Sequence, residues 1–393
     1  MKLKNLLYLL QLEEYDLERF DEWLKRNPGR VVLEKKNHIN WTPKARAIFI
    51  LAKIFGIKNA VYILSPIDSL LKKLVVSRAR AKIKKMADLT IIGVTGSYGK
   101  TTTKDAISHV LIHKYNLLKT EGNRNTLLGI AKTIVNDLKP EHKIFVCEMA
   151  AYRPGDIKEI SKLIKPKIGI VTAIGPMHYE RFGSMENILK TKLELIESLP
   201  DNGIGFLPKE IEPQIKQKKI GAKTEFFSSK EALLVKIGKL FELSENEILG
   251  RLKTMPPISR RQEMIKTSGD ITIIDDSYNS NPMGFLSALA ALKNMAVQRR
   301  ILVTPGMIEL GEKQFELNKN AAIAAAQVAD YVIIVGEINK SALEDGLKEE
   351  WKDNFDKKVF WAPDLDSAKK KLSEITIPHS AILLENDLPD HYF

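Results

Sequence analysis

A chain of 393 residues is too long for one ordinary core, so two or three domains are expected. A composition that is 44% hydrophobic and 28% charged describes a soluble globular protein and excludes a disordered or collagen-like one. The net charge of +12 suits nucleic acid, an anionic membrane surface or phosphorylated small molecules, and no nucleic-acid-binding motif accompanies it, so no nucleic-acid partner is expected.

Residues 1–88 read as a helical, basic segment. Leu3, Leu6, Leu7 and Leu10 fall on one face by three-and-four spacing, and Leu17, Phe20 and Leu24 continue the pattern until Asn27-Pro28-Gly29 breaks it. A second apolar stretch, Ile48 to Leu64, leads into a basic helix ending near Lys85, with Lys72, Lys73, Arg78, Arg80, Lys82, Lys84 and Lys85. The nearest approach to a membrane-spanning run, Ala47–Leu64, is broken by Lys53 and Lys58. No small-residue cleavage site follows a compact apolar region, so no signal peptide is expected. Two readings of this segment stay open: it lies on a membrane surface or docks a partner, or it is a helical cap with a solvated face.

Strand-like runs begin at Leu89. Leu89–Val94 enters a glycine-containing loop and a helix-compatible Thr102–Ile112, and the runs Lys143–Cys147 and Ile168–Ile174 follow with helical patterns between. That alternation predicts a parallel sheet covered by helices. Cys147, the lone cysteine, excludes an intramolecular disulfide framework and suits a reducing cytosol. The polar, lysine-rich passage from Lys209 to Lys230 reads as a surface excursion or a domain seam. From Arg261 the runs Ile271–Ile274, Ile301–Val303, Tyr331–Val335, Lys358–Trp361 and Ala381–Leu384 alternate with helical stretches, which predicts a second, Rossmann-like α/β domain. The expected division is 1–88, 89–260 and 261–393.

The strongest chemical signal is Thr95-Gly96-Ser97-Tyr98-Gly99-Lys100-Thr101-Thr102, set between a strand and a helix. Glycines let backbone N–H groups approach phosphates, and the helix N-terminus adds partial positive charge. Lys100 can neutralise β- and γ-phosphates, and Thr101 can offer its hydroxyl to Mg²⁺. Val94 stands where the general phosphate-loop pattern has its first glycine, so the loop is a variant. Glu148 ends an apolar run, which places its carboxylate at a strand's C-terminal edge, where Mg²⁺ needs oxygen ligands. Asp275-Asp276 follows Ile271–Ile274 in the same way and suits ribose or metal-bound water.

Gly93–Thr103 resembles the signature loop of the Mur ligase superfamily, and further blocks follow in that family's order. Thr120-Glu121-Gly122-Asn123-Arg124-Asn125 with Gly129 resembles its asparagine-rich loop, and Glu148 its metal-binding glutamate. Thr172-Ala173-Ile174-Gly175-Pro176-Met177-His178 resembles the strand end that carries a metal-binding histidine, and Lys192-Leu193-Glu194 the lysine that members carbamylate. Asp275-Asp276-Ser277-Tyr278-Asn279-Ser280-Asn281-Pro282 and Gly306–Gly311 resemble blocks of the MurF type, which adds D-alanyl-D-alanine. Arg261 stands where the family has an arginine that touches ATP phosphates.

The resemblance implies an ATP- and Mg²⁺-dependent ligase of the cytoplasm, acting on a cell-wall peptide precursor and an amino acid or dipeptide. Lys100, His178 and Lys192 would be catalytic. Thr95–Thr102, Arg261, Asp275 and Asn279 would bind the nucleotide, and Thr101, Glu148, His178 and Lys192 the metal. Four blocks depart from the family. Residues 1–88 replace the domain that grips a UDP-linked substrate, and the middle domain is shortened. The helix Ala232–Phe241 lacks the G-x-H-x-x-x-N element, and Leu383–Asp387 stands in place of a basic K-G-S-R loop. Ala150 also replaces a glycine. Two rival readings are a polyglutamate- or cyanophycin-type ligase of the same superfamily and a nucleotide-binding protein without ligase activity.

Overall fold

The computed structural model describes residues 2–392 apart from 33, 35–37, 123, 178 and 217–219. The N-terminal helices are α1 (Leu3–Leu12), α2 (Leu17–Arg26), α3 (Pro43–Phe55) and α4 (Ile57–Lys84). Asp16 starts α2 by accepting from the backbone N–H groups of Glu18 and Arg19, and Thr42 followed by Pro43 starts α3. The first three helices and the start of α4 bury Leu7, Leu10, Phe20, Trp23, Ile48 and Ala60 in a core of their own. Gly56, at φ +79°, splits the apolar stretch Ile48–Leu64 into two helices, and α4 turns back along α3, where Lys44 meets Asp68 at 3.0 Å. Farther along, Val75, Val76 and Ala79 of α4 join the core of the first sheet.

Among the described residues, twelve strands form two six-stranded sheets. The first contains β1 (Thr90–Thr95), β2 (Leu117–Lys119), β3 (Ile144–Glu148), β4 (Ile168–Val171), β5 (Ile204–Pro208) and β6 (Lys223–Phe227). Their order is β2-β3-β1-β4-β5-β6 and every pairing is parallel. Helix α5 (Lys100–Leu111) packs Ile107 and Leu111 on one face, with Ile92, Val94 and Phe206. On the other face α6 (Leu127–Asp137) and α7 (Asp156–Ile164) pack Ile130 and Ile160 with Phe145 and Leu195. The passage Lys209–Lys230 is not a mere surface excursion. It supplies the edge strand β6, whose Phe226 and Phe227 pack into the cores while flanking lysines mask the pattern.

The second sheet contains β7 (Glu263–Thr267), β8 (Ile271–Asp276), β9 (Arg299–Thr304), β10 (Tyr331–Val335), β11 (Val359–Ala362) and β12 (Ser380–Glu385). Its order is β11-β10-β9-β12-β8-β7, parallel except for β7, an antiparallel edge strand that the sequence pattern did not predict. The last residues run back against the N-terminal helices. Tyr8 donates its hydroxyl to Asp390 Oδ2 at 2.5 Å, and Trp23 Nε1 donates to the His391 carbonyl at 3.1 Å. His391 Nε2 lies 3.4 Å from Glu13, and burial lowers the imidazole to about 4, so the ring is neutral. Among the described residues no helix is long and apolar enough to cross a membrane.

Tyr8→Phe keeps the ring's packing and removes one buried hydrogen bond. It is expected to lower stability by about 1–3 kcal/mol in urea unfolding. An unchanged midpoint would show that this contact does not hold the tail.

Candidate active site

The parallel register sets Val94 beside Glu148 and Thr95 beside Val171, so β1, β3 and β4 end on one edge of the sheet. The strand order reverses between β1 and β4, the crevice where sheets of this kind take ligands. There the chain leaves β1 through Gly96–Gly99 and enters α5 at Lys100. Gly96 has φ +147°, and a Cβ on it would strike Thr172 Oγ1 and approach the backbone N of Ala173. Gly99, at φ +78°, is the left-handed residue that caps α5. Thr172 Oγ1 donates to the Tyr98 carbonyl at 2.5 Å, and Ser97 Oγ exchanges 3.0 Å bonds with the carbonyl and N–H of Gly175. Thr95 Oγ1 donates to the Met149 carbonyl at 2.9 Å, and Tyr98 OH to that of Ile174 at 3.2 Å. Thr95 and Ser97 therefore shape the loop with side chains turned into the protein.

Lys100, Lys104, Lys192 and the carboxylates of Glu148 and Asp105 gather near this loop. Lys100 Nζ folds back on the carbonyls of Gly96 and Ser97, at 2.9 and 3.2 Å. Desolvation lowers it to about 8, with Glu148 pulling the other way. Lys192 lies buried on the helix Met185–Glu197, where burial and then the Lys100 charge lower it to about 7. Glu148, 3% exposed, accepts from Asn125 Nδ2 on one oxygen at 3.0 Å. Its Oε2 has no hydrogen-bond partner, and Lys104 Nζ stands 3.6 Å away. A buried carboxylate oxygen left without a donor suits a cation. Among the described residues no three His, Cys, Asp or Glu side chains gather to hold a metal.

The second sheet meets the loop directly. Arg261, just before β7, donates from Nη2 to Thr101 Oγ1 at 3.3 Å and stacks 4.3 Å over the Tyr278 ring. A cavity of about 720 Å³ lies between the sheets, lined by Tyr98, Gly99 and Thr102 on one side and Arg261, Asp276 and Asn279 on the other. Asp275 points elsewhere: its Oδ1 accepts from the N–H and the hydroxyl of Ser277, at 3.1 and 2.5 Å. Its neighbour Asp276, the second member of the pair, faces the cavity. Asn279 also lines a second cavity of about 300 Å³, with Glu14, Arg19, Tyr152, Arg181 and Glu309. Arg181 and Glu309 pair at 2.8 Å there, and Arg19 pairs with Glu13 at 2.7 Å. Behind Ser280, the buried Glu385 on β12 accepts from Thr304 Oγ1 at 2.8 Å and from Ser280, and burial raises its carboxyl to about 8.

The structure thus brings together Gly96, Gly99, Lys100, Thr101, Thr102, Glu148, Lys192, Arg261 and Asn279. His178 and Asn123 lie outside the described residues. Lys104 escaped sequence reasoning, although it directly follows the recognised loop Gly93–Thr103, whereas Asn125 and Asp276 lie in blocks that the sequence singled out. Glu14, Arg19 and Arg181 carried no local signal at all.

Two family models match the chain, "Mur ligase middle domain" over residues 94–255 and "Mur ligase, glutamate ligase domain" over residues 260–384. A UDP-N-acetylmuramoyl-tripeptide–D-alanyl-D-alanine ligase of Bacillus subtilis is 28% identical over 304 residues, which span 67% of this chain and 66% of that protein. The enzyme of the same name from Mycobacterium tuberculosis is 29% identical over 317 residues, 67% of this chain and 62% of that one. The chain therefore spans less than two thirds of the length of these relatives. Among solved structures, a MurF ligase of Thermotoga maritima in complex with ADP superposes with a TM-score of 0.71 at 24% identity, covering 80% of each chain. MurF of Acinetobacter baumannii gives 0.69 at 21% identity, over 80% of this chain and 77% of that one.

Gly96→Ala forces a side chain into a left-handed, occupied position. It is expected to cost about 1–3 kcal/mol of stability in denaturant unfolding. A variant as stable as the parent would mean that the loop relaxes without strain.

Proposed function

Since this chain belongs to the Mur ligase family, we propose that it is an ATP-dependent ligase of the MurF type that joins a peptide carboxylate to an amine. The observation that carries this reading is the start of α5, where Arg261 of the opposite sheet reaches Thr101 and the buried Glu148 carboxylate faces Lys100 and Lys104. We read residues 1–88, 89–260 and 261–393 as a helical segment, an ATP-binding domain and a second ligase domain. The acceptor would be a cell-wall peptide precursor, and the amine D-alanyl-D-alanine or a single amino acid.

In this reading a carboxylate oxygen of the acceptor attacks the γ-phosphorus, ADP leaves, and an acyl phosphate forms. The free amine then attacks the acyl carbon, phosphate leaves, and the nitrogen sheds a proton to become the amide. Lys100 turns from its loop carbonyls onto the β- and γ-phosphates, and Arg261 holds the phosphates from the other side. Asp276 and Asn279 suit the ribose and the bound acceptor, since both line the main cavity. Magnesium fits Glu148 Oε2 and the Thr101 hydroxyl, with His178 as a further ligand, and when bound it supplies positive charge against the phosphates. Gathering the reactants in one cleft and excluding water would do most of the work.

Lys192 has a separate part. At about 7, about half of its amine is free at neutral pH, and its nitrogen can add CO₂ and lose a proton to give a carbamate anion, a second oxygen ligand. Below pH 7 the amine is protonated and cannot add CO₂, so activity is expected to fall as pH drops through about 7 and to rise with bicarbonate above it. Lys192→Ala is expected to lose ligation and to recover part of it with added acetate. Full activity in that variant, with no response to bicarbonate, would overturn the assignment.

ATP consumption screened over UDP- and lipid-linked peptides, with D-alanyl-D-alanine or single amino acids, tests the reaction itself. Lys100→Ala is expected to abolish turnover with an unchanged circular dichroism spectrum. Turnover that survives this change, or ATP use that no acceptor stimulates, would overturn the ligase reading.

A further inference from the structure

Between the N-terminal core and the first sheet, the middle of α4 has little packed against it. Ile63, Ile67, Leu70, Leu71 and Leu74 are each 47–59% exposed. Their spacing confines them to an arc of about 100° on the helix, the width of stripe that ordinarily faces a core. Tyr62 beside them is 64% exposed, and Ile50 and Ile54 of the neighbouring α3 are 62% and 73% exposed. No described residue covers this stripe, and scattered single leucines would not gather this way.

The charge around the stripe is one-sided. Residues 53–85 hold nine lysines and arginines and a single acid, Asp68. That acid is already held by Lys44 at 3.0 Å and Lys72 at 2.9 Å. By helical spacing Lys73 flanks the apolar arc, while Arg78 and Lys85 continue it toward the helix C-terminus. A second copy of the chain on this face would set the same positive charges against one another. An anionic bilayer offers both an apolar layer for the leucines and phosphates for the cations, and a convex helix suits a flat surface.

We propose that α4 docks this protein on a membrane surface rich in anionic lipid. Leu70, Leu71 and Leu74 enter the boundary between headgroups and acyl chains, and Lys73, Arg78 and Lys85 lie among the lipid phosphates. The sheets and their cleft stay in the aqueous phase, fastened to the surface by the same helix. This docking does not depend on which reaction the cleft performs.

Vesicle sedimentation of the full chain tests it, with phosphatidylcholine alone and with phosphatidylcholine containing one third phosphatidylglycerol, each at low and high salt. The expected result is partitioning onto the anionic vesicles at least about tenfold stronger than onto the neutral ones, and weakened by salt. Leu70→Ser with Leu71→Ser, and separately Lys73→Glu with Arg78→Glu, are each expected to reduce it about tenfold while leaving circular dichroism and ATP turnover unchanged. A parent chain that stays in the supernatant with anionic vesicles overturns the proposal. So does a leucine-to-serine variant that pellets as the parent does. A dimer in sedimentation equilibrium that the same variant separates would give the face to a second copy instead.

Discussion

The site depends on one constraint, the parallel pairing of β1 with both β3 and β4. Parallel strands need long crossovers, and those crossovers let three strand ends share an edge. Because side chains alternate along a strand, a one-residue slip of β3 would turn Glu148 away from the loop and put Cys147 in its place. What prevents the slip is burial on both faces: Ile92, Phe145, Val146 and Ile170 are each fully covered. The chemistry at the edge is therefore held in register by apolar residues that take no part in it.

The same edge carries an electrostatic imbalance. Lys100 and Lys104 stand near Glu148, Lys104 also lies 3.7 Å from Asp105, and Lys192 is close enough to Lys100 to feel its charge. Burying ammonium groups is costly, and Lys100 and Lys192 respond by a lowered pKa. With Lys100 and Lys192 both buried and repelling each other, the charge beside the loop is out of balance. A polyanion restores that balance, and Arg261 from the second sheet adds to the demand. The orphaned oxygen of Glu148 points the other way, toward a small cation, and a metal-bound phosphate chain answers both needs at once.

Much of this was legible in the sequence because it is local. The loop from Thr95 to Thr102, the carboxylate ending an apolar run and the five strands β8 to β12 of the second sheet all announce themselves within a dozen residues. The edge strands β6 and β7 did not, since an edge strand packs on fewer sides and tolerates the lysines that hide its period. The Asp275-Asp276 pair was read correctly as a strand end, but which of the two faces the cavity depends on a turn fastened by Ser277. The contacts of Tyr8 and Trp23 with the last residues link positions more than 360 apart, and no short pattern encodes such a pairing.

That long-range fastening shapes the second cavity. Arg19 reaches it because α2 is anchored to the chain's other end through Trp23 and His391, and Asp387 and Leu388 line it because the same tail passes there. Its walls thus come from all three parts of the chain, and Asn279 and Asn281 connect it to the larger cavity at the phosphate loop. Its charged groups are already paired, Arg181 with Glu309 and Arg19 with Glu13, so a ligand must compete with these bonds or bridge them. Such a wall selects by geometry more than by net charge, because a misplaced group would leave a half-buried ion without its partner. The helical segment and the tail therefore build this cavity as a unit, and loosening either one would disturb its walls before it disturbed the phosphate loop.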